Sequence, residues 1–143
     1  MRLFYNLVIS IIIIFSPIII FYRILKKKEN PKRFLEKFSF QQKKRGQGKL
    51  IWFHCSSVGE FLSITPILEK LEKEKDIKNI LLSTSTLSSS KIFNKFKFKK
   101  TIHQFYPIDN PLIINKFLNH WKPSSVFFVE SEIWPEMLRI LKL

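Results

Sequence analysis

Two acid-bearing motifs stand seventy positions apart in this chain, Ser57-Val58-Gly59-Glu60 and Glu130-Ser131-Glu132-Ile133-Trp134-Pro135. Each follows a short apolar run, Leu50-Ile51-Trp52-Phe53-His54 before the first and Ser125-Val126-Phe127-Phe128-Val129 before the second. Acids are scarce, 11 against 25 Lys plus Arg, which makes these placements informative. A carboxylate at the C-terminal edge of a parallel sheet stands where α/β proteins place ligands and catalytic groups. The plainer reading of each motif is structural, because a Glu in the first turn of a helix favours the helix dipole. Gly59 permits close backbone approach, and the helix start beside it offers free N–H groups that suit anions. Ser56 and Ser57 do not read as hydrolase nucleophiles, since no G-x-S-x-G elbow surrounds them. Cys55 reads as a small buried residue and His54 as a strand-end structural one. The second motif has no His or further acid cluster at metal-ligand spacing nearby, and no metal is expected.

The elements that must position these acids follow from the alternation of short apolar runs with longer mixed segments. Strands are predicted at Leu50–His54, Lys78–Ser83, Ile102–Tyr106 and Ser125–Glu130. Helices are predicted at Glu60–Glu74, Thr86–Phe96, Asn110–His120 and Pro135–Leu143. The first of these directs Phe61, Leu62, Ile64, Ile67, Leu68 and Leu71 inward, and Pro66 predicts a kink or a restart with Thr65 as N-cap. Strands alternating with helices at this spacing imply βαβ units, a parallel sheet and right-handed crossovers. Trp134 is expected to pack on that sheet. The last helix is cut off in mid-pattern, and a four-stranded parallel sheet ending there has a raw edge. The chain reads as the front part of something longer.

At 143 residues the chain forms one ordinary domain at most. Residues 3–22 carry no formal charge and are rich in Ile, Leu, Val and Phe. About 20 such residues cross the roughly 30 Å hydrocarbon layer of a bilayer as a helix, and Pro17 is tolerated there. A cleaved leader would have a shorter apolar region and a small-x-small site after it; Tyr22-Arg23-Ile24-Leu25-Lys26-Lys27-Lys28 follows instead, so the segment reads as an uncleaved single-pass anchor. Residues 23–49 hold eleven bases and two acids, net +9, which places that side in the cytoplasm, near anionic headgroups. Within them, Pro31–Phe40 predicts a short helix with Phe34, Leu35 and Phe38 on one side. Most of the +14 total lies in this stretch and no nucleic-acid-binding motif accompanies it, so nucleic acid is not an expected partner. The single Cys55 fits a reducing compartment. The organisation is thus an anchor at 3–22, a basic juxtamembrane segment at 23–49 and a partial Rossmann-like domain at 50–143.

Taken in order, these features resemble the N-terminal half of the 3-deoxy-D-manno-octulosonic acid (Kdo) transferases of lipid A assembly. The resemblance rests on the anchor, on the basic stretch with Lys32-Arg33-Phe34-Leu35-Glu36-Lys37-Phe38, and on His54 to Glu60 as H-x-x-S-V-G-E. It is completed by the Ser/Thr-rich turn after strand two, by Phe105 to Asp109 as a Tyr-x-Pro-x-Asp-like segment, and by Glu130 to Pro135 as E-[ST]-E-[LI]-W-P. It covers essentially the whole chain. It implies the N-terminal domain of a GT-B-type glycosyltransferase, with Kdo passing from CMP-Kdo to a hydroxyl of the lipid A precursor lipid IVA at the cytoplasmic face of the inner membrane. Glu60 would be the general base and Glu130 the transition-state stabiliser, with Ser57, Gly59 and Glu132 as acceptor-binding candidates. No cofactor is implied. Two departures stand out: Thr86-Leu87-Ser88-Ser89-Ser90 lacks the Pro and Gly usual in that turn, and the half that binds CMP-Kdo is missing. The expected partners are membrane lipid, the lipid A precursor and a separate chain carrying that half. The competing expectation is a non-catalytic anchored domain whose basic surface binds anionic lipid or a protein.

Overall fold

The computed structural model describes residues 2–40, 43–129 and 134–142. The four predicted strands form one sheet: β1 (Leu50–Cys55), β2 (Asn79–Thr84), β3 (Thr101–Phe105) and β4 (Ser125–Val129). All pairings are parallel and the order is β3-β2-β1-β4. The chain therefore runs outward from β1 through β2 to β3, then returns to add β4 on the other side of β1. β1 and β2 are almost wholly buried, as strands covered on both faces must be.

The helices are α1 (Arg2–Leu25), α2 (Val58–Lys73), α3 (Leu87–Phe93), α4 (Pro111–Trp121) and α5 (Pro135–Leu141). α2 and α3 cover one face of the sheet, where Phe53, Cys55, Phe61, Leu68, Ile80 and Leu82 form a core. α4 and α5 cover the other, around Trp52, Leu81, Phe117, Trp121 and Met137. Side-chain caps set three of the starts. Ser57 accepts from Glu60 N, Thr86 from Ser89 N, and Asn110 from Leu112 N. Trp134 packs on Tyr106 with ring centroids 5.1 Å apart, as expected of a sheet-covering residue.

Three local expectations are corrected. The restart considered at Pro66, with Thr65 as its N-cap, does not occur. The helix runs through, and Thr65 is a mid-helix residue whose hydroxyl donates to the Phe61 carbonyl at 3.0 Å. Leu62 and Ile67 face outward, both about half exposed. The Pro31–Phe40 helix is a single 3₁₀ turn, Phe34–Phe38, ended by Ser39 in the left-handed region at φ 56°.

That turn matters because it covers the outer edge of β3. Glu36 is buried there, and its carboxylate accepts the Phe105 N–H at 3.0 Å. Arg33 holds the same carboxylate through two bonds of 2.6 and 2.8 Å. Its guanidinium also donates to Ser90 Oγ, to His103 Nδ1 at 2.9 Å and to the His103 carbonyl. At the opposite edge Phe127, on β4, is half exposed and stacks on Phe53.

The apolar N-terminal segment is one helix. Phe4–Leu25 is long and apolar enough to cross a membrane, with a mean hydropathy of 2.5. It lies along the side of the domain, next to the 3₁₀ turn and the start of α4.

Candidate functional site

The chain's progression across the sheet reverses between β1 and β4, whose strands stay parallel. In open parallel sheets the crevice outside the C-terminal ends of such a pair is the ligand site. β1 ends at Cys55 and β4 at Val129, which are partners in register, so the two strand ends stand side by side. β1 is followed by Ser56 and the N-cap Ser57, and the first turn of α2 carries Gly59 and Glu60. Glu130 and Glu132 lie in 130–133, outside the described residues.

Glu60 sits at the third residue of α2 and is buried. Its Oε2 accepts the Ser56 N–H at 2.6 Å, while its own N–H donates to Ser57 Oγ at 3.2 Å. This is a capping box in which the carboxylate reaches one residue further back than usual. Among the described residues no donor meets Oε1. One oxygen is thus anchored by the fold, and the other is unspent among the described residues. Ser57 is the N-cap, its oxygen spent on Glu60 N. Gly59 has an ordinary right-handed backbone, and a Cβ there would meet only Ser57 Oγ, at 3.9 Å. The fold does not require glycine at this position, and the space above it is open.

Behind Glu60 lies a buried aromatic and polar row on the α4 side. His54, Ser83 and Gln104 are cross-strand neighbours. His54 Nδ1 lies 3.2 Å from the Ser83 carbonyl, which only accepts, so Nδ1 carries the proton. Nε2 is then the acceptor facing Ser56 Oγ at 3.4 Å. Burial pulls His54 down to about 4, against the upward effects of Ser83 and Glu60. Tyr106 stacks on the ring at 3.9 Å. His54 is therefore a neutral structural residue, as expected. Burial and then the Glu60 charge push the Cys55 thiol up to about 12, which makes it an inert core group.

His103 is a second neutral histidine. Arg33 only donates, so Nδ1 accepts, and Nε2 donates to Thr84 Oγ1 at 2.8 Å. Burial first, then Arg33 and Lys43, lower it to about 3. Both histidines bind their proton in the unfolded chain near 6.5 but not in the folded one. Stability is therefore complete above about pH 6.5 and falls as pH drops from there through about 4 and 3. Unfolding free energy from urea titrations should decrease by roughly 2 kcal/mol per histidine between pH 7 and pH 5. A midpoint unchanged over that range contradicts the assignment.

Asp109, part of the Tyr-x-Pro-x-Asp-like segment, had no role assigned from sequence. It is buried, and its two oxygens accept Glu136 N and Met137 N at 3.0 and 2.9 Å. The loop after β3 thereby fixes the start of the helix after β4. Nothing in spacing marks this, because the partners are 27 and 28 residues away. No group of three or more His, Cys, Asp or Glu able to hold a metal occurs among the described residues.

A buried acid with one unspent oxygen at the switch point of a Rossmann-like sheet suits a base or electrostatic site of a transferase as readily as a cap. Residues 32–143 match the family model described as 3-deoxy-D-manno-octulosonic-acid transferase (kdotransferase). The chain belongs to the Kdo transferase family. It is 37% identical over 135 residues to a 3-deoxy-D-manno-octulosonic acid transferase of Rickettsia bellii, covering 94% of this chain and 32% of that protein. The transferase so named in Haemophilus influenzae is 28% identical over an alignment of 148 positions, covering 99% of this chain and 34% of the relative. That of Aquifex aeolicus is 32% identical over 112 residues, 78% of this chain and 30% of the relative. The chain spans about a third of the length of the curated relatives it matches. The sheet described above is consistent with the N-terminal domain of a Kdo transferase, and its apolar α1 is compatible with membrane association.

Proposed function

We propose that this chain is the acceptor-holding side of a Kdo transferase that moves Kdo from CMP-Kdo to a hydroxyl of lipid IVA at the cytoplasmic face of the bacterial inner membrane. The observation that carries the reading is Glu60, buried at the switch point with one oxygen fixed by Ser56 and the other unspent. In the reaction the acceptor O–H bond breaks, a bond forms from that oxygen to the anomeric carbon of Kdo, and CMP leaves with the electron pair. Glu60 takes the hydroxyl proton as oxygen attacks, the role that a base within hydrogen-bond reach fills. Glu130, which follows β4 in sequence, supports the transition state, and Ser57, Gly59 and Glu132 border the acceptor. The cations of residues 23–49 are suited to the acceptor's phosphates and to anionic headgroups. CMP-Kdo is held by the half that this chain does not include, supplied by a longer or a separate chain.

The test is transfer of labelled Kdo from CMP-Kdo to lipid IVA. The purified 143-residue chain alone should give none, and the chain combined with a donor half from a relative should give product. Transfer by the chain alone removes the half-site reading. No transfer by a folded, stably associated pair removes the acceptor assignment.

A further inference from the structure

We propose that α1 is an in-plane helix, seated in one leaflet with its axis along the membrane surface and both ends on the domain's side, and that it does not span the bilayer. The first argument is how its residues are distributed around the axis. The partly or fully buried positions are Tyr5, Asn6, Ile9, Ile13, Ser16 and Ile20, continued by Arg23 and Ile24. Their three- and four-residue spacing makes one stripe, and it holds most of the polar side chains of the helix. Most of the remaining surface is apolar and exposed, with Phe4, Ile14, Ile18 and Phe21 each about two-thirds uncovered or more.

The second argument is where the stripe goes. At the N-terminal end the Tyr5 hydroxyl donates to Asp109 Oδ2 at 2.6 Å, and Ile9 borders a cavity of about 210 Å³ shared with Tyr106 and Trp134. In the middle, Ile13 lies beside Phe38 and Ile113, and Ile20 beside Leu35 and Phe38. At the C-terminal end Arg23 pairs with Glu29 at 3.2 Å, and Glu29 with Lys37 at 2.7 Å on the 3₁₀ turn. A helix of 24 residues is roughly 36 Å long. If it spanned, its ends would be separated by roughly 30 Å of hydrocarbon. One folded domain cannot bond Tyr5 on one side and Glu29 on the other.

The third argument is what the surface beside α1 offers. Leu112, 81% exposed, and Phe40, 54% exposed, extend the apolar face onto the domain. Lys116 Nζ lies 3.4 Å from the Phe40 ring centroid, a cation at the border of that face. The net +9 of residues 23–49 supplies the charge complement to anionic headgroups. One leaflet of an anionic bilayer fits apolar outer face and basic border together. This placement does not depend on the transfer reaction. It replaces the single-pass topology expected from hydropathy, and it sets the Asp109 loop, at the candidate site's edge of the sheet, next to lipid.

The test is sidedness. A short tag with one cysteine is placed before Met1, and Lys75→Cys in a second full chain reports the domain. Cys55 is buried and stays silent. Each chain is expressed in a bacterial inner membrane and exposed to a membrane-impermeant maleimide, in intact spheroplasts and in inverted vesicles. Both cysteines should label in inverted vesicles and neither in spheroplasts. Labelling of the tag from outside, in whole or in part, while Lys75→Cys labels only from inside, overturns the proposal. A bismaleimide linker should also join Ile13→Cys to Ile113→Cys in the membrane-bound chain. Absence of that link in chains whose two cysteines each react singly overturns it too.

Discussion

Glu60→Gln should lower Kdo transfer by roughly 10²–10⁴-fold in an enzyme that contains this half and a donor half. The geometry makes this a clean substitution. A glutamine amide oxygen can still accept the Ser56 N–H that Glu60 Oε2 now accepts at 2.6 Å, and Ser57 still receives the residue-60 N–H. The cap and the start of α2 therefore survive, and what disappears is the basic oxygen. Thermal midpoint and membrane association should stay as in the parent while turnover collapses. A parent-like turnover in the folded variant removes Glu60 as the base. A large drop in midpoint would instead show the carboxylate to be mainly a structural cap.

Arg33→Met should destabilise the domain by roughly 3–5 kcal/mol, the cost of leaving a buried charge without its partner. Glu36 loses both of its guanidinium bonds and, among the described residues, its carboxylate keeps the Phe105 N–H alone. His103 Nδ1 and Ser90 Oγ lose the same donor. Adding Glu36→Gln should recover part of the loss, because the amide still accepts from Phe105 and carries no charge. Denaturant titrations of the parent, the two single variants and the double variant give the coupling. Additive losses, or an Arg33→Met midpoint equal to the parent's, would show that the pair does not hold the β3 edge.

Sequence periodicity located the sheet and its helices because each strand is a short apolar run bounded by Ser, Thr, Asn or Pro, and those residues became the caps of α2, α3 and α4. The restart it allowed at Pro66 is absent, since a proline on an exposed face of a packed helix costs a hydrogen bond without ending the run. It misjudged Pro31–Phe40, where the Phe-Leu-x-x-Phe pattern is satisfied by a 3₁₀ turn caught between α1 and β3. The site was legible in part. Ser57 and Glu60 are neighbours in sequence, and a capping box can be read from their spacing. Tyr106 meets His54, and Asp109 meets the start of α5, only through the tertiary fold, which no local pattern states. Glu130 and Glu132 fall outside the described residues, so their roles rest on the family motif. Hydropathy found α1 but not its seat, because a window average discards the stripe made by Tyr5, Asn6, Ser16 and Arg23.

The strand order also governs how the chain is made. β1 needs partners on both sides, yet β2 arrives soon after it and β4 only when residues 125–129 are complete. At roughly 5–20 residues per second of synthesis, the 74 positions between Ile51 and its partner Ser125 take about 4–15 s. During that interval one edge of β1, with Trp52 and Phe53 on it, has no neighbour, while α1 has already left the ribosome. Early capture of α1 by the lipid surface would tether the nascent chain away from its siblings and so protect that open edge from intermolecular pairing until β4 closes it.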